Sequence, residues 1–184
     1  LDTSEQINCV TSGIDLNTLT YNGSSITAKT ANSLTTAGGD VWKSSYSDQN
    51  LKLPISLKFK HNSTTGYEMF GLIPVGATQT PTNYNDGAYK FYTTATSTYG
   101  YFTTTWDFGA IAILPTDVLS IDISATGFVT VRINGVQVRA FQGANSAYRF
   151  VVSSSATSVA LKDIRLTNAA HPERTFCMDR DTDG

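Results

Sequence analysis

The sequence predicts an all-β protein built from short antiparallel strands, and three observations carry this prediction. Apolar and polar residues alternate in segment after segment, whereas the spacing of an amphipathic helix is hard to find anywhere. Gly, Asn, Ser and Thr separate these segments, which is typical of chains that turn often between strands. Thr and Ser far outnumber Lys and Glu, and the β-branched Thr favours strands. At 184 residues the chain has the length of one sandwich or barrel domain.

Alternation predicts the individual strands. LPISLKFKH at 53–61 places its Leu, Ile, Leu and Phe on one face and its Pro, Ser and two Lys on the other. VLSIDIS and FVTVRINGVQVRAF at 118–141 predict three strands, and Asn134-Gly135 predicts a type I′ hairpin turn between the last two. Further strands are predicted for YRFVVSS, VALKDIRLT, INCVT, SSITAKT, YEMFGLIP, YKFYTTA and YGYFTTTW.

The alternation ends near residue 168, which divides the chain in two. Residues 1–167 are predicted to form the sandwich domain. Residues 168–184 are predicted to be an irregular tail, because NAAHPERTF has no alternation and its His171-Pro172 pair disfavours regular structure.

Charge and cysteine usage limit the partners and the compartment. A formal net charge of −2 gives no electrostatic reason to expect binding to nucleic acid or to an anionic membrane, and no apolar run is long enough to span a bilayer. The Thr- and Ser-rich composition is typical of proteins outside the cytoplasm. There Cys9 and Cys177 could form a disulfide that ties the two ends together. Two free thiols are the alternative, and the spacing does not decide between them.

Several segments in the middle of the chain resemble a known family. YEMFGLIPVG, YKFYTTATSTYGYF, DVLSIDI and VTVRINGVQV follow one another as in concanavalin-like lectin/glucanase domains, which occur in bacterial surface proteins and some phage tail proteins. The resemblance covers roughly residues 12–167. It implies a jelly-roll sandwich of two antiparallel sheets, and a domain that binds carbohydrate or mediates adhesion.

The same resemblance raises the question of catalysis. Glucanases of this architecture carry acidic residues together on one strand, and glycoside hydrolysis needs two carboxyls about 5–9.5 Å apart. Glu5, Glu68 and Glu173 are the only glutamates, and none has a carboxylate partner two or four positions on. The sequence therefore predicts that the protein is not an enzyme.

The candidate ligand site is the loop VGATQTPTNYNDGAY at 75–89 with the tyrosines that follow it. Sugars are bound by planar hydrogen-bonding groups together with an aromatic ring that stacks on the apolar face of the sugar. Asn-Asp-Gly is also an ordinary turn sequence, so a plain turn is the alternative. Trp42 and Trp106 are expected in the core. The predicted ligand-binding residues are Asn83, Tyr84, Asn85, Asp86, Tyr89 and Tyr99.

The last eight residues, CMDRDTDG, suggest a metal site. Asp179, Asp181 and Asp183 stand at alternate positions before a glycine, which is how calcium loops begin, since Ca²⁺ takes six to eight oxygen ligands. The segment resembles the start of a thrombospondin type 3 repeat, which implies a calcium-dependent connector to a further part of a longer surface protein. A solvated acidic end is the alternative.

Together these features predict an extracellular or cell-surface binding and adhesion module whose partner is a glycan. The alternative is a structural or oligomerising module of a fibre or long adhesin that has no sugar site of its own.

Overall fold

The computed structural model describes residues 8–36, 39, 41–61, 67–103, 105–155, 159–172 and 174–178. Among these residues the helical part is one 3-10 turn, Leu16–Thr18, and no helix has the length and apolar character needed to cross a membrane. The strands are β1 (Asn8–Ser12), β2 (Tyr21–Gly23), β3 (Ile26–Lys29), β4 (Leu34–Thr36), β5 (Lys43–Ser47), β6 (Ile55–His61), β7 (Glu68–Pro74), β8 (Tyr89–Thr93), β9 (Ser97–Phe102), β10 (Thr105–Ala112), β11 (Val118–Ile123), β12 (Phe128–Ile133), β13 (Val136–Gln142), β14 (Tyr148–Ser154), β15 (Val159–Asn168) and β16 (Arg174–Met178).

Two seven-stranded sheets contain all of these strands except β1 and β16. The front sheet has the order β10-β9-β8-β7-β14-β5-β2, and the back sheet has the order β13-β12-β11-β6-β15-β4-β3. Neighbouring strands pair antiparallel throughout both sheets. The predicted fold class, an all-β sandwich of two antiparallel sheets, is therefore confirmed.

Alternate apolar side chains from both sheets fill the space between them. The ring of Phe59 on β6 lies 5.4 Å from that of Phe70 on β7 and 5.8 Å from that of Phe91 on β8. Ile55 and Leu57 are also buried, which confirms the core face predicted for 53–61. Since a fully buried side chain of this size contributes about 1.5–3 kcal/mol, this layer holds the sheets together.

The hairpin turn between β12 and β13 also follows the prediction. Asn134 and Gly135 have φ angles of 51° and 79°, the positive values that a type I′ turn requires at both central positions. The side chain of Asn134 stabilises the turn, because its Nδ2 donates to Asp117 Oδ1 (2.8 Å) and its Oδ1 accepts from the backbone N–H of Val118 (2.9 Å).

The predicted irregular tail contains a strand. β16 pairs antiparallel with β1 in a separate two-stranded sheet, in which Cys9 lies directly opposite Cys177. The strand was not predicted because a partner from the far end of the chain, and not an alternating pattern, defines it. The side chains of both cysteines lie outside the described part of the structure, as do the whole residues Asp179, Asp181 and Asp183.

Candidate functional site

The outer face of the front sheet carries the aromatic side chains of β8 and β9 that do not enter the core. On β8, Tyr89 and Phe91 face the core, so Tyr92 faces outward. On β9, Tyr99 lies opposite Tyr92 and Tyr101 lies opposite Lys90, so both tyrosines face outward as well.

Six rings from five segments of the chain form one cluster on this face, which we call the aromatic platform. Tyr92 lies at its centre: its ring centroid is 5.4 Å from that of Tyr99, 6.1 Å from that of Trp42 and 6.0 Å from that of Tyr67, with which it stacks at an interplanar angle of 9°. A second group of contacts joins Tyr84 to Trp42 (4.8 Å) and to Tyr101 (5.6 Å). The platform consists of Trp42, Tyr67, Tyr84, Tyr92, Tyr99 and Tyr101.

Most of these rings keep part of their surface in solvent. Tyr67 is 53% exposed and Tyr101 is 4% exposed, while the other four are partly buried. Burial and the neighbouring Tyr67, Tyr99 and Tyr84 raise the pKa of Tyr92 to about 12. Its hydroxyl therefore stays protonated across the physiological range and can donate a hydrogen bond.

Below the platform lies a buried ion pair. Lys90 Nζ is 2.7 Å from Asp86 Oδ1, and both side chains are inaccessible to solvent. Tyr46 donates its hydroxyl to Asp86 Oδ2 (2.7 Å), and the backbone N–H of Ala88 donates to Oδ1 (3.1 Å). Burial lowers the pKa of Lys90, and the attraction of Asp86 opposes that effect.

The ion pair also positions the loop that carries Tyr84. Lys90 Nζ donates to the backbone oxygen of Tyr84 (2.8 Å), and the hydroxyl of Tyr101 donates to Asn85 Oδ1 (2.8 Å). Asn83 Oδ1 accepts from the backbone N–H groups of Tyr84 (2.6 Å) and Asn85 (3.3 Å). The loop therefore has both its own hydrogen bonds and the buried lysine to hold it against the sheet.

The six predicted ligand-binding residues fall into four places. Tyr84 and Tyr99 belong to the platform, and Asn83 and Asn85 are exposed beside it. Asp86 is buried beneath the loop, where Lys90 and Tyr46 occupy its oxygens, so it is not placed to contact a surface ligand.

Tyr89 is likewise removed from the surface. Its ring faces the core, 5.2 Å from that of Phe141, and its hydroxyl accepts from the backbone N–H of Ala144 (3.1 Å). The alternation of aromatic residues on β8 did not indicate which face of the strand packs in the core. The structure shows that the face with Tyr89 packs in the same core cluster as the rings of Phe70 and Phe150.

Four platform residues, Trp42, Tyr67, Tyr92 and Tyr101, were not among the predicted site residues. Tyr92 and Tyr101 could have been found, because alternation places Tyr92 on the face opposite to Tyr89 and Phe91, and Tyr101 on the same face as Tyr99. Trp42 and Tyr67 reach the platform from distant segments, and no local pattern indicated this. The expectation that Trp42 lies in the core is wrong, because its ring packs on the outward-facing Tyr84 and Tyr92. The side chain of Trp106 lies outside the described part of the structure.

No metal site is found in the described part of the chain. Within the ranges that the structure covers, no group of three or more His, Cys, Asp and Glu side chains is arranged to hold an ion. The predicted calcium ligands are outside those ranges, so the calcium site stays a prediction.

Comparison with known proteins finds solved structures with a similar fold but no protein with a similar sequence. The sequence matches no protein-family model and no curated protein. The carbohydrate recognition domain of Emp46p, in its metal-free form, matches 83% of this chain and 88% of its own chain with a TM-score of 0.58 and 10% identity. Its potassium-bound form matches 83% and 89% with a TM-score of 0.55 and 11% identity.

Two further structures have the same fold. A legume lectin-like domain from Entamoeba histolytica matches 81% of this chain and 90% of its own (TM-score 0.54, 12% identity). The transglycosylase Crh5, solved with NAG, matches 88% and 84% (TM-score 0.57, 12% identity). The chain therefore has a concanavalin-like, lectin-type jelly-roll fold. The thrombospondin type 3 resemblance of the tail and an origin in a bacterial or phage protein find no support in these likenesses.

Proposed function

We propose that this domain binds carbohydrate on the aromatic platform of the front sheet. The observation that carries the proposal is the cluster of partly exposed rings around Tyr92, bordered by the exposed amides of Asn83 and Asn85. Aromatic rings offer a sugar's C–H face a flat apolar surface, while amides and tyrosyl hydroxyls hydrogen-bond its hydroxyls. The fold shared with the carbohydrate recognition domain of Emp46p and with a legume lectin-like domain supports the same class of ligand.

The platform is proposed to bind and not to cleave. Glycoside hydrolysis needs two carboxyls facing the substrate. Below the platform, the carboxylate of Asp86 in the loop before β8 is held by Lys90. The buried Glu68 lies opposite Thr93 on the core-facing side of β7, where it accepts from the Thr93 hydroxyl (3.2 Å). Because a transglycosylase shares the fold, the proposal depends on these positions and not on the fold alone.

An extracellular or cell-surface location and a role in adhesion are part of the proposal. The Thr- and Ser-rich composition supports them, and so does the register that puts Cys9 opposite Cys177. Calcium at Asp179, Asp181 and Asp183 is proposed to stiffen the tail, apart from the sugar site.

A glycan array tests the proposal, run with millimolar calcium and again with chelator. Wild type is expected to bind one glycan class under both conditions, and Trp42→Ala and Tyr92→Ala are expected to weaken that binding about tenfold, since each removes roughly 1–2 kcal/mol of stacking. Phe128→Ala is the matched control, because Phe128 is 44% exposed but lies on the back sheet.

Two results would contradict the proposal. Equal losses in Phe128→Ala and Tyr92→Ala would show that the platform is not the site. Silence on the array, together with self-association in size-exclusion chromatography, would favour the structural or oligomerising module. Binding that needs calcium would leave the platform in place but would show that the metal helps to shape it.

A further inference from the structure

A hollow of about 570 Å³ opens at the end of the sandwich where β5 ends and β6 begins, and it shares no described residue with the aromatic platform. Three segments of the chain surround it: residues 13–19, residues 49–52 and residues 168–171. Pockets that bind small molecules measure about 300–1,000 Å³, so this one has room for such a ligand. We call it the end hollow.

Hydrogen bonds between the three segments hold the end hollow open. The backbone N–H of Ala169 donates to the backbone oxygen of Lys52 (3.3 Å), which joins the third segment to the second. Gln49 Nε2 donates to the backbone oxygen of Thr18 (3.4 Å), which joins the second segment to the first. The end hollow is therefore formed before any ligand arrives, as most ligand pockets are.

The floor of the end hollow is aliphatic. Leu19 and Leu51 are 3% and 2% exposed, and Ile14 is half-buried beside them. These side chains give the C–H groups of a ligand an apolar surface to pack on. Among the described residues that line the hollow there is no Phe, Tyr or Trp, so its floor differs from the platform of rings.

Asn168 brings a buried amide to the end hollow. It is 8% exposed, and its Oδ1 accepts from the backbone N–H groups of Ala170 (3.0 Å) and His171 (2.8 Å). These two donors fix which end of the amide is the oxygen. No described residue accepts a hydrogen bond from the Nδ2 group of Asn168. Because buried donors in proteins are nearly always paired, an acceptor on a ligand is the partner that this group lacks.

The same amide oxygen sets the tautomer of His171. His171 Nδ1 lies 3.3 Å from Asn168 Oδ1, which can only accept. In the neutral imidazole Nδ1 therefore carries the proton, and Nε2 is left as an acceptor. Since His171 is exposed and lines the hollow, it presents this acceptor at the rim.

Three further polar side chains complete the rim. Asp15 Oδ1 accepts from the backbone N–H of Asn17 (2.8 Å), which leaves Oδ2 for a ligand. Asn50 Oδ1 accepts from Arg149 Nε (3.1 Å), which leaves Nδ2 as a donor. Lys52 is exposed and adds an ammonium whose charge offsets that of Asp15, so the rim favours a ligand without net charge.

We propose that the end hollow is a second binding site, which takes a single neutral sugar unit at the end of a glycan. A sugar has a C–H face for the aliphatic floor, and each of its hydroxyls both donates and accepts. The end hollow offers both kinds of partner around that floor: the donors are Asn50, Lys52 and Asn168, and the acceptors are Asp15 and His171. The inference does not rest on the proposed function, because the platform is a separate surface.

NMR titration of the isotope-labelled full chain tests the proposal. The probes are the methyl glycosides of glucose, galactose, mannose and N-acetylglucosamine, and leucine serves as an amphipathic zwitterion. At least one glycoside is expected to bind with a dissociation constant of about 1 mM and to shift the backbone amide signals of residues 13–19, 49–52 and 168–171. The signals of Trp42 and Tyr92 report on the platform in the same spectra.

Two variants and a matched control locate the site. Ala170→Phe places a ring at an exposed position that lines the hollow, and it is expected to weaken binding about tenfold or more. Ala169→Phe is the control, because the neighbouring alanine is exposed but is not among the described residues of the lining, and it should change Kd less than about twofold. His171→Ala removes one acceptor without filling the hollow and is expected to weaken binding about fivefold, which provides a second test should Ala170→Phe fail to fold.

Three results would overturn the proposal. One is the absence of shifts in the three segments with every glycoside at millimolar concentration. Another is an equal loss of affinity in Ala170→Phe and Ala169→Phe. The third is binding of leucine and of none of the glycosides, which would mean that Asp15 and Lys52 select a zwitterion. Shifts confined to Trp42 and Tyr92 would refute the end hollow while supporting the platform, and shifts confined to the three segments would do the reverse.

Discussion

The buried pair of Asp86 and Lys90 makes the sharpest prediction about stability. Asp86→Ala would leave the Lys90 ammonium inside the protein without its carboxylate, and would also remove the acceptor used by Tyr46 and by the backbone of Ala88. Removing one partner of a buried ion pair costs about 3–5 kcal/mol, because the remaining charge is not compensated.

The free-energy cost of the uncompensated charge has an upper limit, because Lys90 can lose its proton and be buried as the neutral amine. An unfolded lysine has a pKa of 10.5, and one pKa unit corresponds to about 1.4 kcal/mol, so burying Lys90 as the neutral amine at pH 7 costs about 5 kcal/mol. Burial already lowers the pKa of Lys90 in the folded state, and loss of Asp86 lowers it further. Whole domains are stable by about 5–15 kcal/mol, so the variant should be close to unfolding at neutral pH.

The pH dependence follows from the same shift. In Asp86→Ala the unfolded chain holds a proton on Lys90 that the folded chain does not, so the free energy of unfolding rises with pH below 10.5. We expect the deficit relative to wild type to shrink by up to about 1.4 kcal/mol per pH unit between pH 7 and 9.5. Lys90→Met added to Asp86→Ala should restore most of the stability, because an apolar side chain replaces the stranded charge.

Urea unfolding of wild type, Asp86→Ala, Lys90→Met and the double variant at pH 7, 8 and 9 measures all of these quantities. A loss below about 1 kcal/mol at pH 7, a deficit that does not change with pH, or a double variant no more stable than Asp86→Ala would refute the reasoning.

Three further predictions concern the tyrosines, one glycine and the cysteines. Burial raises the pKa of Tyr46 and Tyr92 to about 12, so the unfolded chain releases its phenolic protons at lower pH than the folded chain, and the free energy of unfolding should fall as the pH rises from 10 to 12. Phenolate absorbance should show a late ionisation in the folded protein that denaturant abolishes. A single step near pH 10 for all nine tyrosines would contradict this prediction. Gly71→Ala would place a Cβ 1.8 Å from the backbone oxygen of Tyr89 and should cost more than about 1–3 kcal/mol in urea unfolding, while Gly109→Ala, with nothing within 4 Å, should cost far less. Cys9 and Cys177 are expected to form a disulfide, because directly opposite antiparallel residues lie about 4.5–5.5 Å apart between Cα atoms, which is within disulfide reach. A thiol reagent should therefore detect no free thiol in the non-reduced protein. Two reactive thiols would exclude the bond.

Much of the fold could be predicted because its signals are local. Period-two alternation at 53–61 identified the buried face of β6, and Asn134-Gly135 identified the hairpin, since both depend only on neighbouring residues. The strand β16 could not be predicted in the same way, because its partner β1 lies at the other end of the chain.

The candidate site shows where local signals end. Alternation shows that Tyr89 and Tyr92 point to opposite faces, but not which face is packed against the other sheet, since both faces of β8 are aromatic. The burial of the Asp86 side chain could not be predicted either, because an Asn-Asp-Gly sequence is typical of an exposed turn. Only the structure shows that Lys90 and Tyr46 surround its carboxylate.

By itself, then, the sequence determined the all-β class, most of the strands, the residues that share a face on each strand, and the one hairpin turn. Short-range sterics and the two-residue repeat of an extended backbone are sufficient for these features. Only the tertiary structure decided which aromatic face is the core and that Trp42 and Tyr67 join Tyr92. These features depend on the pairing of residues far apart in the chain, which the packing of the two sheets selects from many registers that the local pattern allows.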